Sequence, residues 1–349
     1  MKNRVLLKYH SYFGIIAGTF LFVMGITGSV LVFTEDIDLL LFNKYEVESN
    51  TTDLKLDRAT AAVQEKFPDW GTRIIKFGKG KTILFNLRRP EARKYVFVNP
   101  GTGNIIKVIN ANTHFTKWIL KLHYSLHSGI IGRFLVLFAG IVFFLSLLTG
   151  IILYRKMIFK TVLFKTKIKK SNKRTFYSAL HRYVGVWALL LNLVIAITGI
   201  FLAYKVVNSG LSESIEPSPP IVKTSLEASL IKLEKEYPNF KASYIRLPSS
   251  EKGDIIFNGT FKNDPFYLSK YYNKVSVDYK TGAVVSIDRI NEADFITKFN
   301  SSILPLHFGQ YGGWVSKVMY CIVGLSGPFL SISGYFIWLK RKKLRHLRN

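Results

Sequence analysis

Two histidines four residues apart stand in the stretch Leu122-His123-Tyr-Ser-Leu-His127-Ser-Gly129-Ile-Ile-Gly132-Arg133, which leads into an uncharged run. The end of this stretch recurs as Leu306-His307-Phe-Gly309-Gln-Tyr-Gly312, again ahead of an uncharged run. In both, glycine follows histidine at two and at five residues. A second pair has another spacing, Tyr9-His10-Ser-Tyr-Phe-Gly14 and Leu180-His181-Arg-Tyr-Val-Gly185. Five of the seven histidines therefore sit at or near the mouths of hydrophobic segments. Imidazole is the commonest metal ligand and a proton carrier near neutral pH. Ionisable side chains at the edge of a bilayer mark functional sites by default.

The elements that must hold these histidines are apolar. Four runs lack Asp, Glu, Lys and Arg: Tyr9–Thr34, Phe134–Tyr154, Tyr183–Tyr204 and Val318–Leu339. About 20 apolar residues in a helix span the hydrocarbon of a bilayer, so each run is read as a transmembrane helix. The first resembles a signal peptide only superficially. It is too long for an h-region and lacks a following cleavage site, so it is expected to stay as an anchor.

The net charge of +27 follows the same pattern. Residues 1–10 carry Lys2, Arg4 and Lys8, residues 155–182 carry ten Lys or Arg, and residues 340–349 carry six. None of these segments contains an acid. The positive-inside rule assigns all three to the cytoplasm, against an anionic lipid leaflet. Topology thus accounts for a charge that would otherwise suggest nucleic acid, and no nucleic-acid partner is expected. Cys321, the single cysteine, lies within the fourth run. No C-x-x-C-H is present, which excludes covalent c-type haem attachment.

Between the spans the composition changes. Asp57–Phe67 has helical spacing of apolar residues and stops at Pro68. Strand-like runs follow at Arg73–Phe77, Thr82–Leu87, Tyr95–Val98 and Asn104–Ile109, with a Thr102-Gly103 turn. Ser225–Tyr237 repeats the helix and stops at Pro238. Runs at Ser243–Leu247, Asp254–Phe261, Tyr272–Asp278 and Ala283–Ile287 repeat the strands, with a Thr281-Gly282 turn.

The predicted division is then as follows. Residues 1–34 are the cytoplasmic head and first span, 35–116 an outer domain, and 117–154 the histidine-bearing lead-in and second span. Residues 155–182 are a basic cytoplasmic loop, 183–204 the third span, and 205–302 a second outer domain. Residues 303–339 are the second lead-in and fourth span, and 340–349 a basic tail. The fold class is an α-helical membrane protein. It has four transmembrane helices in two parallel repeats about an axis along the membrane normal, and two α+β outer domains.

Such duplication brings equivalent positions together in pairs. His10 and His181 open outward-going helices, while His127 and His307 precede inward-going ones. One pair is expected near each face. Paired imidazoles from facing helices suit a six-coordinate b-type haem, two in all. Gly14 and Gly185, one turn past their histidines, leave room for a flat ligand. Arg133 and Arg182 sit where propionates would emerge.

Two other readings compete: interfacial anchoring by the histidines, and a zinc site at His123 and His127. The latter lacks the glutamate of H-E-x-x-H. His123 has no counterpart in this alignment. Its possible roles are lining the outer haem, replacing His127 as ligand, or contacting substrate; the catalytic, substrate-side role is the one expected. His114 and His346 are read as solvated.

The His-x3-Gly first span, the helix-Pro-strand-Thr-Gly outer segments and the Leu-His-x-Gly-x-x-Gly approach resemble the PepSY-associated transmembrane family, the iron-regulated inner-membrane proteins of siderophore uptake. The resemblance runs over nearly the whole chain. It implies PepSY-like outer domains without peptidase activity, placed in the periplasm of a bacterial inner-membrane protein whose termini are both cytoplasmic. It also implies a di-haem reductase of ferric siderophores or other ferric chelates. The chain has no G-x-G-x-x-G fingerprint, P-loop or Ser-His-Asp signature. Electrons must therefore come from a cytoplasmic reductase or from quinol. The rival class is a non-redox scaffold whose outer domains bind or regulate a protein partner.

Overall fold

The structure is a computed structural model that describes all residues except 1, 48–53, 91, 169–170, 213–215, 270, 310 and 347–349. Lys169, Lys170 and Arg348 of the basic segments, and Gln310 of the second histidine stretch, lie outside the described residues.

In chain order the first helices are α1 (Lys2–Leu31), α2 (Thr34–Phe42) and α3 (Leu56–Lys66). Strands β1 (Gly71–Lys76), β2 (Ile83–Arg88), β3 (Arg93–Val98) and β4 (Ile105–Asn110) follow. Then come α4 (Phe115–Ser125), α5 (Gly129–Tyr154), α6 (Ile158–Val162), α7 (Lys173–Trp187), α8 (Leu189–Leu211) and α9 (Leu226–Glu236). Strands β5 (Phe240–Arg246), β6 (Ile255–Phe261), β7 (Lys274–Val277) and β8 (Val284–Asp288) precede α10 (Phe295–Phe308) and α11 (Gly313–His346). The chain forms two compact units, one of residues 1–34, 119–212 and 303–349, the other of 35–118 and 213–302.

The first unit is helical. Asn3–Leu31, Gly129–Tyr154, Leu189–Leu211 and Gly313–Arg341 are long and apolar enough to cross a membrane. The third span starts later than the uncharged run predicts. Tyr183–Trp187 closes α7, and the chain breaks at Ala188, whose N–H is shared between the Val184 and Val186 carbonyls. Helix α1 packs on α5 and α11, α5 packs on α8, and α7 packs on α11.

The α1–α11 contact is close. Pro328 lacks an N–H, which frees the Gly324 carbonyl one turn before it. Gly25 lies against that carbonyl, and a Cβ there would stand 2.5 Å from its oxygen and 2.5 Å from Pro328 Cδ. The same contact explains Gly18, which faces Ser331. Small residues let helix backbones approach in this way.

The second unit is one antiparallel sheet in the order β4-β3-β2-β1-β5-β6-β7-β8. Each strand-like run of the sequence falls on one of these strands, and both predicted helices form as α3 and α9. The segments delimited above as two separate domains share this single sheet. The join is β1 to β5, with Arg73 opposite Arg246 and Ile74 opposite Ile245. Alternate residues enter one core, among them Ile74, Phe85, Val96, Ile245, Phe257 and Val275, together with Leu56 and Val63 of α3 and Leu226 and Leu233 of α9. The two helices cap each other. Asp57 accepts from the Ser225 hydroxyl and the Leu226 N–H, and Glu227 accepts from the Asp57 N–H.

His114 departs from its expected solvated state. Its Nε2 lies 2.9 Å from Asp38 Oδ1, and its ring stacks on Phe42 at 4.7 Å. The reason is nonlocal: the partner is 76 residues away in sequence. The side chain of His346 is outside the described residues.

Candidate functional site

Four histidines of the helical unit share one local arrangement. His10 on α1 donates through Nδ1 to the Ser146 carbonyl at 3.1 Å, beside Thr149 Oγ1 at 3.0 Å, both on α5. His123 on α4 has its Nδ1 2.9 Å from Thr27 Oγ1 on α1. His181 on α7 has its Nδ1 2.8 Å from Ser333 Oγ on α11. His307 on α10 has its Nδ1 3.0 Å from Thr198 Oγ1 on α8. In each case the ring edge rests on the glycine that follows the hydroxyl residue. A Cβ at Gly28, Gly150, Gly199 or Gly334 would come within 3.1 to 3.4 Å of the histidine Cε1.

The network determines the tautomer. A carbonyl only accepts, so His10 Nδ1 must carry the proton. The Thr27 and Thr198 hydroxyls donate to the Val23 and Val194 carbonyls at 2.7 and 2.6 Å, and Ser333 donates to the Leu330 carbonyl at 3.3 Å. Their oxygens therefore accept from the histidines. With Nδ1–H engaged, Nε2 keeps its lone pair at all four positions. A metal-binding histidine is prepared in this way, its second nitrogen tied to a hydrogen-bond acceptor.

The rings also pair. His123 and His307 have centroids 6.4 Å apart. A metal–imidazole bond is about 2 Å, which puts two ring centres on one metal roughly 6.4 Å apart. His10 and His181 are close enough to interact electrostatically. His10 and Thr27, which mark the two pairs on α1, are about 25 Å apart along the helix at 1.5 Å per residue. Among the described residues no three His, Cys, Asp or Glu side chains converge. Two imidazoles per site are too few for a closed tetrahedral metal centre and match the axial demand of a six-coordinate haem. The donor set fits that group.

The expected partner of His307 was His127, and this is corrected: the ring facing His307 is that of His123. Helix α4 ends at Ser125, and Leu126 and His127 take φ of 50° and 54°. His127 is thereby turned off the helix face and is exposed. The His-x-Gly-x-x-Gly alignment set the two lead-ins in the wrong register. Gly129 and Gly313 both begin a long helix, α5 and α11, at φ 56° and 57°, and can be aligned instead. Counting back, Leu122-His123-Tyr124 then matches Leu306-His307-Phe308.

The remaining predicted residues are placed as follows. A Cβ at Gly14 would meet Ser146 Oγ at 3.8 Å and one at Gly185 would meet Leu330 Cδ2 at 3.7 Å. Both are ordinary helix contacts with space beside them. Arg133 donates through Nη1 to the Val206 carbonyl at 3.2 Å, and its Nε is buried without a partner. Arg182 is exposed, with its guanidinium 5.7 Å over the Tyr154 ring. Sequence reasoning missed Thr27, Thr149, Thr198 and Ser333 and the glycines after them. A signal was present: Ile26-Thr27-Gly28, Leu148-Thr149-Gly150, Ile197-Thr198-Gly199 and Ile332-Ser333-Gly334 repeat an apolar-hydroxyl-glycine triplet across the four spans, although Leu325-Ser326-Gly327 has the same pattern.

Among curated proteins, the "Uncharacterized protein PA4219" of Pseudomonas aeruginosa is 25% identical over 253 residues. That match takes in 64% of this chain and 63% of the relative, so the chain spans a little under two thirds of the relative's length. The PepSY-associated TM region family matches residues 7–341. With four apolar helices and the antiparallel sheet unit beside that match, this is a membrane protein, and the chain belongs to the PepSY-associated TM region family.

Proposed function

We propose that the chain is a di-haem b electron-transfer protein of the bacterial inner membrane that reduces ferric siderophores or other ferric chelates on the periplasmic side. The observation that carries this reading is four histidines with Nδ1 anchored and Nε2 free, of which His123 and His307 face each other at 6.4 Å and His10 and His181 are within electrostatic reach. His10 with His181 would hold one haem and His123 with His307 the other, and two haems would supply one-electron redox centres. Each histidine holds its ring orientation through its hydroxyl or carbonyl acceptor, and the following glycine lets the ring approach the facing backbone. Arg133, with its buried free Nε, would meet a propionate carboxylate near the His123–His307 pair. Two centres near opposite faces divide a crossing of about 30 Å of hydrocarbon into shorter hops. The electron would come from a cytoplasmic reductase or from quinol. One electron per ferric ion gives iron(II), whose lower charge binds hard oxygen ligands less well.

The test uses proteoliposomes with reductant trapped inside and a ferric chelate outside. Iron(II) captured by external ferrozine is expected, at a rate that falls to the protein-free leak when His10 is replaced by alanine. Protein that holds no haem, with the rest intact, would favour the scaffold reading instead.

Topology is tested separately, on the acid-free basic segments. In spheroplasts an impermeant thiol reagent is expected to label Ser249→Cys and to leave Ser171→Cys untouched. Labelling of the latter reverses the assignment of the 155–182 loop to the cytoplasm.

A further inference from the structure

In β1 to β3, Ile74, Phe85, Leu87 and Val96 enter the core of the sheet unit. Strand alternation puts Arg73, Asn86, Arg88, Arg93 and Tyr95 on the opposite face. Arg88 lies directly opposite Arg93, and Arg73 lies opposite Asn86. Like charges directly opposed across strands destabilise a sheet. Lys117, from the first turn of α4, adds a fourth cation that acts on this group.

Burial holds the Arg88 guanidinium down at about 10, with Arg73 and Arg93 next in effect. Burial likewise lowers Lys117. Asp38 is the acid that opposes these charges, and its Oδ1 already lies 2.9 Å from His114 and accepts from Thr116 at 2.7 Å. On β2, Arg88 Nε, a donor, and Asn86 Oδ1, an acceptor, are buried without partners. They sit two residues apart on one strand, and such orphans are costly and call for an explanation.

We infer that this face binds a small polycarboxylate that also carries a hydroxyl group, the hydroxycarboxylate class that chelates ferric iron. The arginine forks match carboxylates bidentately, and the Asn86 acceptor takes a hydroxyl proton. Arg73 on β1 and Arg93 on β3 stand about 12 Å apart, two strand spacings across and two residues along. That spread suits several carboxylates on one chain better than a single phosphate. A bound polyanion also removes the Arg88–Arg93 repulsion. This assignment rests on the proposed function only for the iron such a ligand would bring.

The test uses the full-length protein in nanodiscs and iron-free citrate, read by isothermal titration and thermal unfolding. Citrate is expected to bind, and tricarballylate, which lacks the hydroxyl, to bind about tenfold more weakly or worse. Arg88→Met and Arg93→Met should each weaken citrate about tenfold or more. Arg93→Met, at an exposed position, should also raise the unfolding temperature without ligand, an effect that loss of a purely structural contact does not produce. Absence of citrate binding, citrate affinity unchanged from the parent protein in both variants, or phosphate or phosphatidylglycerol binding as tightly as citrate would each overturn the inference. Because the probe carries no iron, failure of outward electron transfer leaves this result untouched.

Discussion

His123→Ala is expected to halve the haem content from two to one per chain, while His127→Ala leaves both haems in place. The His123 ring faces His307 at 6.4 Å and is tied to Thr27, whereas His127 sits exposed in a left-handed turn. Without the His123 imidazole, Nε2 of His307 would have no partner across the site to hold a haem. Pyridine haemochrome stoichiometry and reduced-minus-oxidised spectra read the outcome. Thr198→Val, which removes only the acceptor of His307, should weaken the same haem about 10- to 100-fold, the range for loss of a supporting hydrogen bond. A chain that keeps two haems without His123 and loses one without His127 would restore the register read from the His-x-Gly-x-x-Gly motif.

Gly25→Val is expected to destabilise the helical unit by about 3 kcal/mol. Its Cβ would stand 2.5 Å from the Gly324 carbonyl oxygen, and backbone cannot swing aside as a side chain can. Helices α1 and α11 must separate, and α1 also carries His10 and Thr27. Gly14→Ala is the control. Its Cβ meets Ser146 Oγ at 3.8 Å, ordinary contact, and its effect should stay within about 0.5 kcal/mol. Loss of helical circular dichroism on heating measures both. Similar unfolding temperatures for the two variants would contradict the α1–α11 contact.

Much of this architecture was legible in the chain because it depends on local pattern. Uncharged runs of sufficient length mark the apolar helices, since a single charge inside hydrocarbon is costly. Period-two alternation marks β1 to β8, and a proline stops the sequence of α3 and α9 because its ring cannot continue a helix. The chain alone also singled out His10, His123, His127, His181 and His307 by their place beside the apolar runs, but set His127 rather than His123 opposite His307.

Pairing was decided by tertiary structure. His123 and His127 look equivalent at a four-residue spacing only if one helix carries both. The chain leaves α4 at Ser125 and re-enters a helix at Gly129, a break that shifts the phase of everything between. The hydroxyl-glycine seats lie on other helices, 96 to 152 residues away in sequence, where local periodicity carries no signal. The joining of two domain-like segments into one sheet has the same cause. Within its own four strands β1 would be an edge, with N–H and C=O groups left to pair along its length. Those groups are the same in every sequence, so the choice of β5 as partner depends on what the folded chain brings beside them.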